Sequence, residues 1–291
     1  MNETSFAEQR GSGERFGFGD NWKSFLELLD EGRVVEAERS LAAMLDLTTL
    51  EGRRMIDIGS GSGLFSLAAR RLGAEVHSID FDPSSVWCTR HLHDRFFAGD
   101  AGWTVEEGSA LDRPHLMALG QFDIVYSWGV LHHTGEMWTG IANAIDLVRP
   151  GGLLFIAIYN DQGWKSHFWW LVKKFYNVLP RALATTFAWT AGLSLNALNI
   201  IKYTLKLKPM EAIRPLLAYR QRRGMNFSHD LIDWMGGFPY EFATYSALVN
   251  YAHAAGLLHV RGKIATSLGC HELVFRRLER TPASGGQSQG A

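Results

Sequence analysis

Cysteine is scarce in this chain: Cys88 and Cys270 are the two present among 291 residues. Two thiols cannot build a disulfide framework and match no metal-ligand spacing, so no metal site is expected and a reducing, cytoplasmic compartment is. The start, Met1 to Asp20, lacks the basic-then-apolar order of a secretory signal and is polar and glycine-rich instead. Internal repeats are missing. So is a clean bilayer-spanning run: the twenty uncharged residues Ala182 to Ile201 carry Thr185, Thr186, Thr190, Ser194, Asn196 and Asn199. Net charge is almost nil at −1, although it is unevenly spread. What remains is a chain with 46% hydrophobic residues, enough for one large core or a core with an insertion.

The stretch that organises it is Met55-Ile56-Asp57-Ile58-Gly59-Ser60-Gly61-Ser62-Gly63-Leu64-Phe65. A short apolar run closes on glycines at alternate positions, and a helix-compatible segment follows from Leu64 to Leu72. That order reads as strand, tight turn, helix N-terminus, where unpaired N–H groups and close backbone approach suit a nucleotide. A second apolar strand ends in Asp80 about 20 residues on, where a carboxylate can accept from both hydroxyls of a ribose.

A dinucleotide site would read G-x-G-x-x-G/A, but the position it needs small holds Leu64, and Asp57 would repel a pyrophosphate. An adenosine with an amino-acid tail tolerates that acid. Asp57 to Gly63, with Asp80, resembles motif I and its acidic follower in class I S-adenosylmethionine (SAM)-dependent methyltransferases. The resemblance covers the core, about half of the chain. It implies SAM as cofactor, S-adenosylhomocysteine as product, and a seven-stranded Rossmann-like sheet whose last strand is antiparallel.

The chain order agrees. Strands are expected at Arg54–Ile58, Glu75–Asp80, Trp103–Glu107, Phe122–Ser127 and Leu153–Tyr159, with helices Leu64–Leu72, Ser84–Phe97 and Glu136–Val148 between them. Phe242–Ala255 then reads as a helix, and Leu258–Ala265 and Leu273–Leu278 as strands. The fold class is thus α/β, doubly wound, with a largely helical cap inserted after strand five. Residues 1–45 are expected to supply a flexible lead (1–13) and cofactor-covering helices. Residues 46–159 and 241–280 form the core, 160–240 the cap, and 281–291 a disordered tail rich in Gly, Ser and Gln.

Ligands of an open parallel sheet bind beyond the strand ends. Asp57, Gly59, Ser60, Gly61 and Gly63 would face the methionine tail, Asp80 the ribose, and Phe81 the adenine. Ser109 and Ala110 fall where the family grips the adenine edge, with a serine here where many relatives carry an acid. Ser127 and Trp128 complete the cofactor list. Trp22 either stacks near the methionine end or packs in the core. The loop Val130-Leu131-His132-His133-Thr134 resembles that of small-molecule methyltransferases, including ubiquinone-biosynthesis O-methyltransferases. It nominates His133, then His132, as a base for a hydroxyl acceptor; one of the pair could equally hydrogen-bond the loop. Tyr159, Asn160, Asp161 and Trp234 are expected at the acceptor, although Asn and Asp also favour turns on their own account.

The insertion holds the charge asymmetry. Trp164 to Arg223 contains eleven Lys and Arg against one acid, Glu211, so it carries +10 and the rest −11. Such a split suggests an anionic partner. A helix pair covering the substrate and an interfacial cap resting on an anionic membrane surface via 164–223 both suit it, the latter with a peripheral location at the inner face of a membrane. Arg220, Arg222 and Arg223 could track phosphates, yet no nucleic-acid module accompanies them. The expected activity is methyl transfer to a small-molecule acceptor, most simply at a hydroxyl oxygen. A tRNA or peptide methyltransferase and a non-catalytic SAM-binding protein are the alternatives, and the oligomeric state is open.

Overall fold

The structure, a computed structural model, describes residues 5–206, 210 and 235–279. Seven strands are seen among them: β1 (Arg54–Ile58), β2 (Glu75–Asp80), β3 (Trp103–Glu107), β4 (Phe122–Trp128), β5 (Val148–Tyr159), β6 (Leu257–Lys263) and β7 (Cys270–Arg277). They form one sheet in the order β3-β2-β1-β4-β5-β7-β6. β1 to β5 run parallel, and β7 lies antiparallel to both β5 and β6. The order reverses between β1 and β4, which opens a crevice at their carboxyl ends.

Successive strand residues point to opposite faces, and the sequence supplies apolar side chains to both. Ile56, Ile58, Val125, Leu154 and Ile156 join one buried cluster with helices α6 (Arg113–Ala118), α7 (Met137–Leu147) and α10 (Tyr245–Ala254). Met55, Val76, Ile124, Tyr126 and Phe155 join the other, with α2 (Gly19–Glu27), α3 (Glu31–Leu45), α4 (Leu64–Arg71) and α5 (Pro83–Phe97). The sheet is therefore covered on both sides, as a doubly wound α/β fold requires. After β5 come α8 (Trp164–Val178) and α9 (Arg181–Leu205), whose Tyr176, Ala184 and Ala188 bury a small core of their own with Met235. The rest of the expected cap, 207–209 and 211–234, and the tail lie outside the described residues.

Several boundaries differ from the sequence reading. The expected flexible lead contains a short helix, α1 (Phe6–Gly11), because Ser5 and Glu8 form a reciprocal capping box. α6 was not anticipated; six residues carry too little periodicity, although Asp112 caps it. Arg149-Pro150-Gly151-Gly152, expected to end a helix, lies inside β5: Phe122 pairs with Val148 and Ile124 with Leu153, so a bulge absorbs the difference. β7 starts at Cys270 instead of Leu273, extended by pairing with Tyr159 at the end of β5.

The last strand also closes a helix. Arg277 Nη1 donates to the carbonyls of Ile145 at 3.1 Å and Val148 at 2.8 Å, placing a cation at the carboxyl end of α7. Arg277→Ala is expected to lower unfolding free energy by about 1–3 kcal/mol, measured by urea denaturation. An unchanged midpoint would mean that water replaces the guanidinium without loss.

Candidate functional site

At the β1/β4 crevice lies a cavity of about 740 Å³. Its wall includes Asp57, Gly59, Ser60, Gly61, Asp80, Phe81, Ser109, Ala110, Trp22, Trp128, Tyr159, His132 and His133, so most of the residues expected from the sequence meet at one place. Gly63 sits just behind, starting α4 in a left-handed conformation.

Two buried carboxylates define the cofactor side. Asp57, at the end of β1, accepts from Ser66 Oγ at 2.5 Å; Ser66 accepts from Ser78 Oγ at 2.8 Å, and Ser78 from Trp103 Nε1 at 2.9 Å. Asp80, at the end of β2, accepts the backbone N–H groups of Gly61 and Asp82, each at 2.9 Å. Burial still dominates both. It lifts Asp57 to about 7, helped by the charge of Asp80, and lifts Asp80 to about 6 against those two N–H bonds.

The motif glycines turn out to serve neighbouring side chains as well as a ligand. Gly59 has φ +81°, and a Cβ there would overlap Val130 of the histidine loop. Gly61 has φ +56°, and its missing Cβ leaves room for the Trp22 indole. Trp22 thus closes over the motif while meeting Phe25 edge-on at 6.1 Å.

The histidines sit on the cavity wall in a single 3₁₀ turn, Leu131–His133. His133 Nδ1 lies 2.6 Å from the Pro239 carbonyl, which can only accept, so Nδ1 carries the proton and Nε2 the lone pair. Burial lowers His133 to about 3, with Lys173 and Arg15 adding to the effect, and the ring is neutral at physiological pH. His132 is committed differently. Its Nδ1 accepts from the Tyr159 N–H at 3.4 Å, its ring also bonds the Ala157 backbone, and burial pushes it well below the ordinary range. The segment returning from the cap is pinned to this turn: Glu241 N donates to the His132 carbonyl at 2.9 Å, and its carboxylate accepts the Met137 N–H at 3.0 Å.

Three predicted residues stand elsewhere. Ser127 is fully buried, donating to the Ile58 carbonyl at 2.9 Å, and ties β4 to β1 beneath the cavity. Asn160 donates to the Ala265 carbonyl at 3.0 Å, and Asp161 accepts from Gly163 N at 2.7 Å; both shape turns, and neither lines the cavity. Trp234 lies outside the described residues.

The structure adds residues that sequence reasoning missed. Arg15 donates to the carbonyls of His133 at 2.9 Å and Thr134 at 3.1 Å, and its guanidinium stacks 4.9 Å from the Phe81 ring centre. Phe16, Phe18 and Phe238 add apolar wall, Phe18 lying 5.1 Å from His133. Glu272 and Cys270 reach the cavity from β7. Lys173, counted above with the partner-facing cations, is buried on α8 with its Nζ 5.0 Å over the Tyr240 ring. The return of aromatics after Phe16 was the available signal for the wall. Arg15 and Glu272 had none, because only the sheet order and the N-terminal crossing bring them in.

These residues fit SAM. The paired acids suit a cation and a diol, and the Tyr126 hydroxyl is buried on the wall beside Asp57 with no hydrogen-bond partner among the described residues. Asp57, Asp80 and the backbone of Gly59 to Gly61 would hold it. Among the described residues, no three His, Cys, Asp or Glu side chains are grouped to bind a metal ion.

Comparison with known proteins agrees with this geometry. Residues 56–154 match the family described as Methyltransferase domain. A ubiquinone biosynthesis O-methyltransferase of Cereibacter sphaeroides is 31% identical over 135 residues, 46% of this chain and 51% of that protein. One from Xanthomonas campestris is 35% identical over 113 residues, covering 38% and 45%. The chain thus spans about half the length of the curated relatives it matches. Among solved structures, magnesium protoporphyrin IX methyltransferase from Synechocystis with bound SAH aligns with TM-score 0.52 and 14% identity, over 89% of this chain and 93% of that one. PKMT2 from Rickettsia typhi in complex with AdoHcy gives 0.54 and 15%, over 84% and 54%. At such identities these two speak for the fold alone, which is the class I methyltransferase sheet.

Both acids hold protons in the folded protein that the unfolded chain has released, Asp80 from 3.8 to about 6 and Asp57 from 3.8 to about 7. Through those windows they make folding less favourable as pH rises; His133, at about 3 against 6.5, works in the opposite sense between those values. A bound cationic amino-acid tail favours the charged acids, so SAM binding at a pH between 6 and 7 is expected to release protons. Calorimetry in buffers of different ionisation enthalpy reads this, and a buffer-independent heat would contradict it. Asp80→Ala is expected to weaken SAM binding by roughly 2–3 kcal/mol in the same titration.

Proposed function

Since the chain carries a class I SAM-dependent methyltransferase domain, we propose that it transfers a methyl group to the hydroxyl oxygen of a small, largely apolar acceptor. When bound, SAM supplies an electrophilic methyl group on a sulfonium. The protein supplies position, a dry cavity and a destination for the acceptor's proton.

The observation that carries this reading is the fixed tautomer of His133. With Nδ1–H tied to the Pro239 carbonyl, Nε2 is the nitrogen that can take a proton, and His133 lines the cavity. A ring lowered to about 3 is a weak base. It suffices here because a hydroxyl becomes strongly acidic as its oxygen gains a carbon substituent, so the proton is surrendered late and easily. His132, with its Nδ1 already accepting from Tyr159, holds the turn in shape instead.

The walls support an apolar acceptor. Phe16, Phe18, Trp128, Tyr159, Phe238 and Leu268 offer aromatic and aliphatic surface, and the N-terminal segment adds Phe6 and Trp22 to the wall. The curated relatives, named for O-methyl transfer in ubiquinone biosynthesis, support the choice of oxygen. A cytoplasmic location belongs to this proposal.

Titration with SAM and S-adenosylhomocysteine, then tritiated-methyl transfer into an extract separated into lipid, small-molecule, RNA and protein pools, tests it. Label in the small-molecule or lipid pool is the expected result; label confined to RNA or protein would replace it with a polymer substrate. His133→Ala is expected to reduce turnover by about 10²–10⁴-fold, the range for loss of a general base, with SAM affinity nearly unchanged. An unchanged rate would leave positioning as the whole mechanism. Wild-type turnover should show no acidic limb near 6.5 from this histidine, since its charge change lies far lower.

A further inference from the structure

α8 carries apolar side chains on two faces, one turned to the protein and one turned outward. Trp164, Phe168, Leu171, Phe175 and Val178 recur at spacings of four and three, and each is 51–74% exposed. At 3.6 residues per turn they fall within an arc of about 80° and run about 21 Å along the helix. The opposite face, which meets the protein, buries Ser166, Lys173 and Tyr176. The inward face also packs Trp169 and Val172 with Tyr176, so the outward row is apolar surface beyond what seats the helix on its own protein. Isolated exposed apolar residues are ordinary on a protein surface, but a continuous row of five is not.

The flanks of the row are basic. Helical geometry sets Lys165 on one side and Lys174 on the other, both exposed, with Lys174 Nζ 4.9 Å over the Trp170 ring. From Trp164 through Leu205, across α8 and α9, there is no Asp or Glu. Leu183, early in α9, is also 58% exposed.

We propose that this face of α8 docks flat on an anionic lipid bilayer, its aromatic row entering the headgroup boundary while Lys165 and Lys174 meet lipid phosphates. The chemistry selects this occupant. A row of Trp, Phe and Leu wants an apolar phase, and lysines on both rims want negative charge immediately beside it; an interface of anionic lipid offers the two together. A second copy of the chain meeting α8 with its own α8 offers the apolar surface but brings Lys165 and Lys174 again to the rim. Nucleic acid offers the charge and nothing for the row. No helix among the described residues is long and apolar enough to cross a membrane, so the contact is a surface one. α8 follows directly from β5, whose last residue, Tyr159, lines the cavity, and docking would set the apolar cavity beside lipid. The inference stands on α8 alone and does not need the methyl-transfer reading.

The test is co-sedimentation of the full chain with vesicles of phosphatidylcholine alone and of phosphatidylcholine with phosphatidylglycerol, at low and high salt. Binding is expected to the anionic vesicles, weaker at high salt. The double variant Phe168→Glu with Phe175→Glu should lower the bound fraction about ten-fold or more, and Lys165→Glu with Lys174→Glu should abolish the preference for anionic lipid. Retained SAM affinity by calorimetry shows that each variant is folded, because none of these residues lines the cavity. Wild-type protein that stays in the supernatant with anionic vesicles overturns the proposal. So does equal binding by the Phe168→Glu, Phe175→Glu variant, or a concentration-dependent dimer, dispersed by that variant in sedimentation velocity, without vesicle binding.

Discussion

Burying the Asp57 carboxylate at the end of β1 is the constraint around which the other parts are arranged. A lone buried carboxylate is expensive, and the protein meets the cost with a row of hydroxyls and an indole, Trp103 to Ser78 to Ser66 to Asp57, running under the sheet from β3. The row offsets only part of the penalty, because the group is still lifted to about 7. That residual appetite for a positive partner is what makes the crevice a binding site and not merely a gap between strands. Asp80 repeats the device with backbone donors, and its charge raises the demand of Asp57 for a cation. Binding and folding are thus linked through the same side chains.

The opposite wall is built by a different principle. The histidine turn is gripped from both directions: Arg15 takes the carbonyls of His133 and Thr134, and the segment returning at Pro239 and Glu241 takes the His133 ring and the His132 carbonyl. Every polar atom so engaged is fixed by a partner distant in sequence. The turn itself is short and would have little shape alone. Its geometry belongs to the segments that cross it.

This explains what could be read from the sequence and what could not. β1, β2 and β3 have the boundaries expected for them, because each is an apolar run bracketed by glycine, aspartate or a charged turn. Asp57, Gly59, Gly61 and Asp80 were legible for the same local reason: strand, turn and helix follow one another within a few residues. Asn160 and Asp161 were misplaced since their residue types suit both a pocket and a turn, and only the loop near Ala265 and the backbone of Gly163 decide between them. Lys173 looked like one cation among many; helical phase and the packing of α8 turned it inward beneath Tyr240. Glu272 and Tyr126 reach the same cavity from β7 and β4, and only assembled sheet order could bring them there. Local grammar writes the wall of Asp57, Gly61 and Asp80, whereas long-range pairing writes the wall of the histidines.

The opening stretch of the chain has a consequence of its own. Phe6, Arg15, Phe16, Phe18 and Trp22 wall the cavity, and Gly19 N anchors the segment to the Asp82 carboxylate at 2.8 Å. A shortened version beginning near Glu31 would keep the strands, the glycine turn and both acids, though it would also lose Phe25, Leu26 and Leu29 from the buried face of the sheet. Its crevice, however, would stand open like a trough without a cover. Water would reach a methyl donor that the complete chain keeps sheltered.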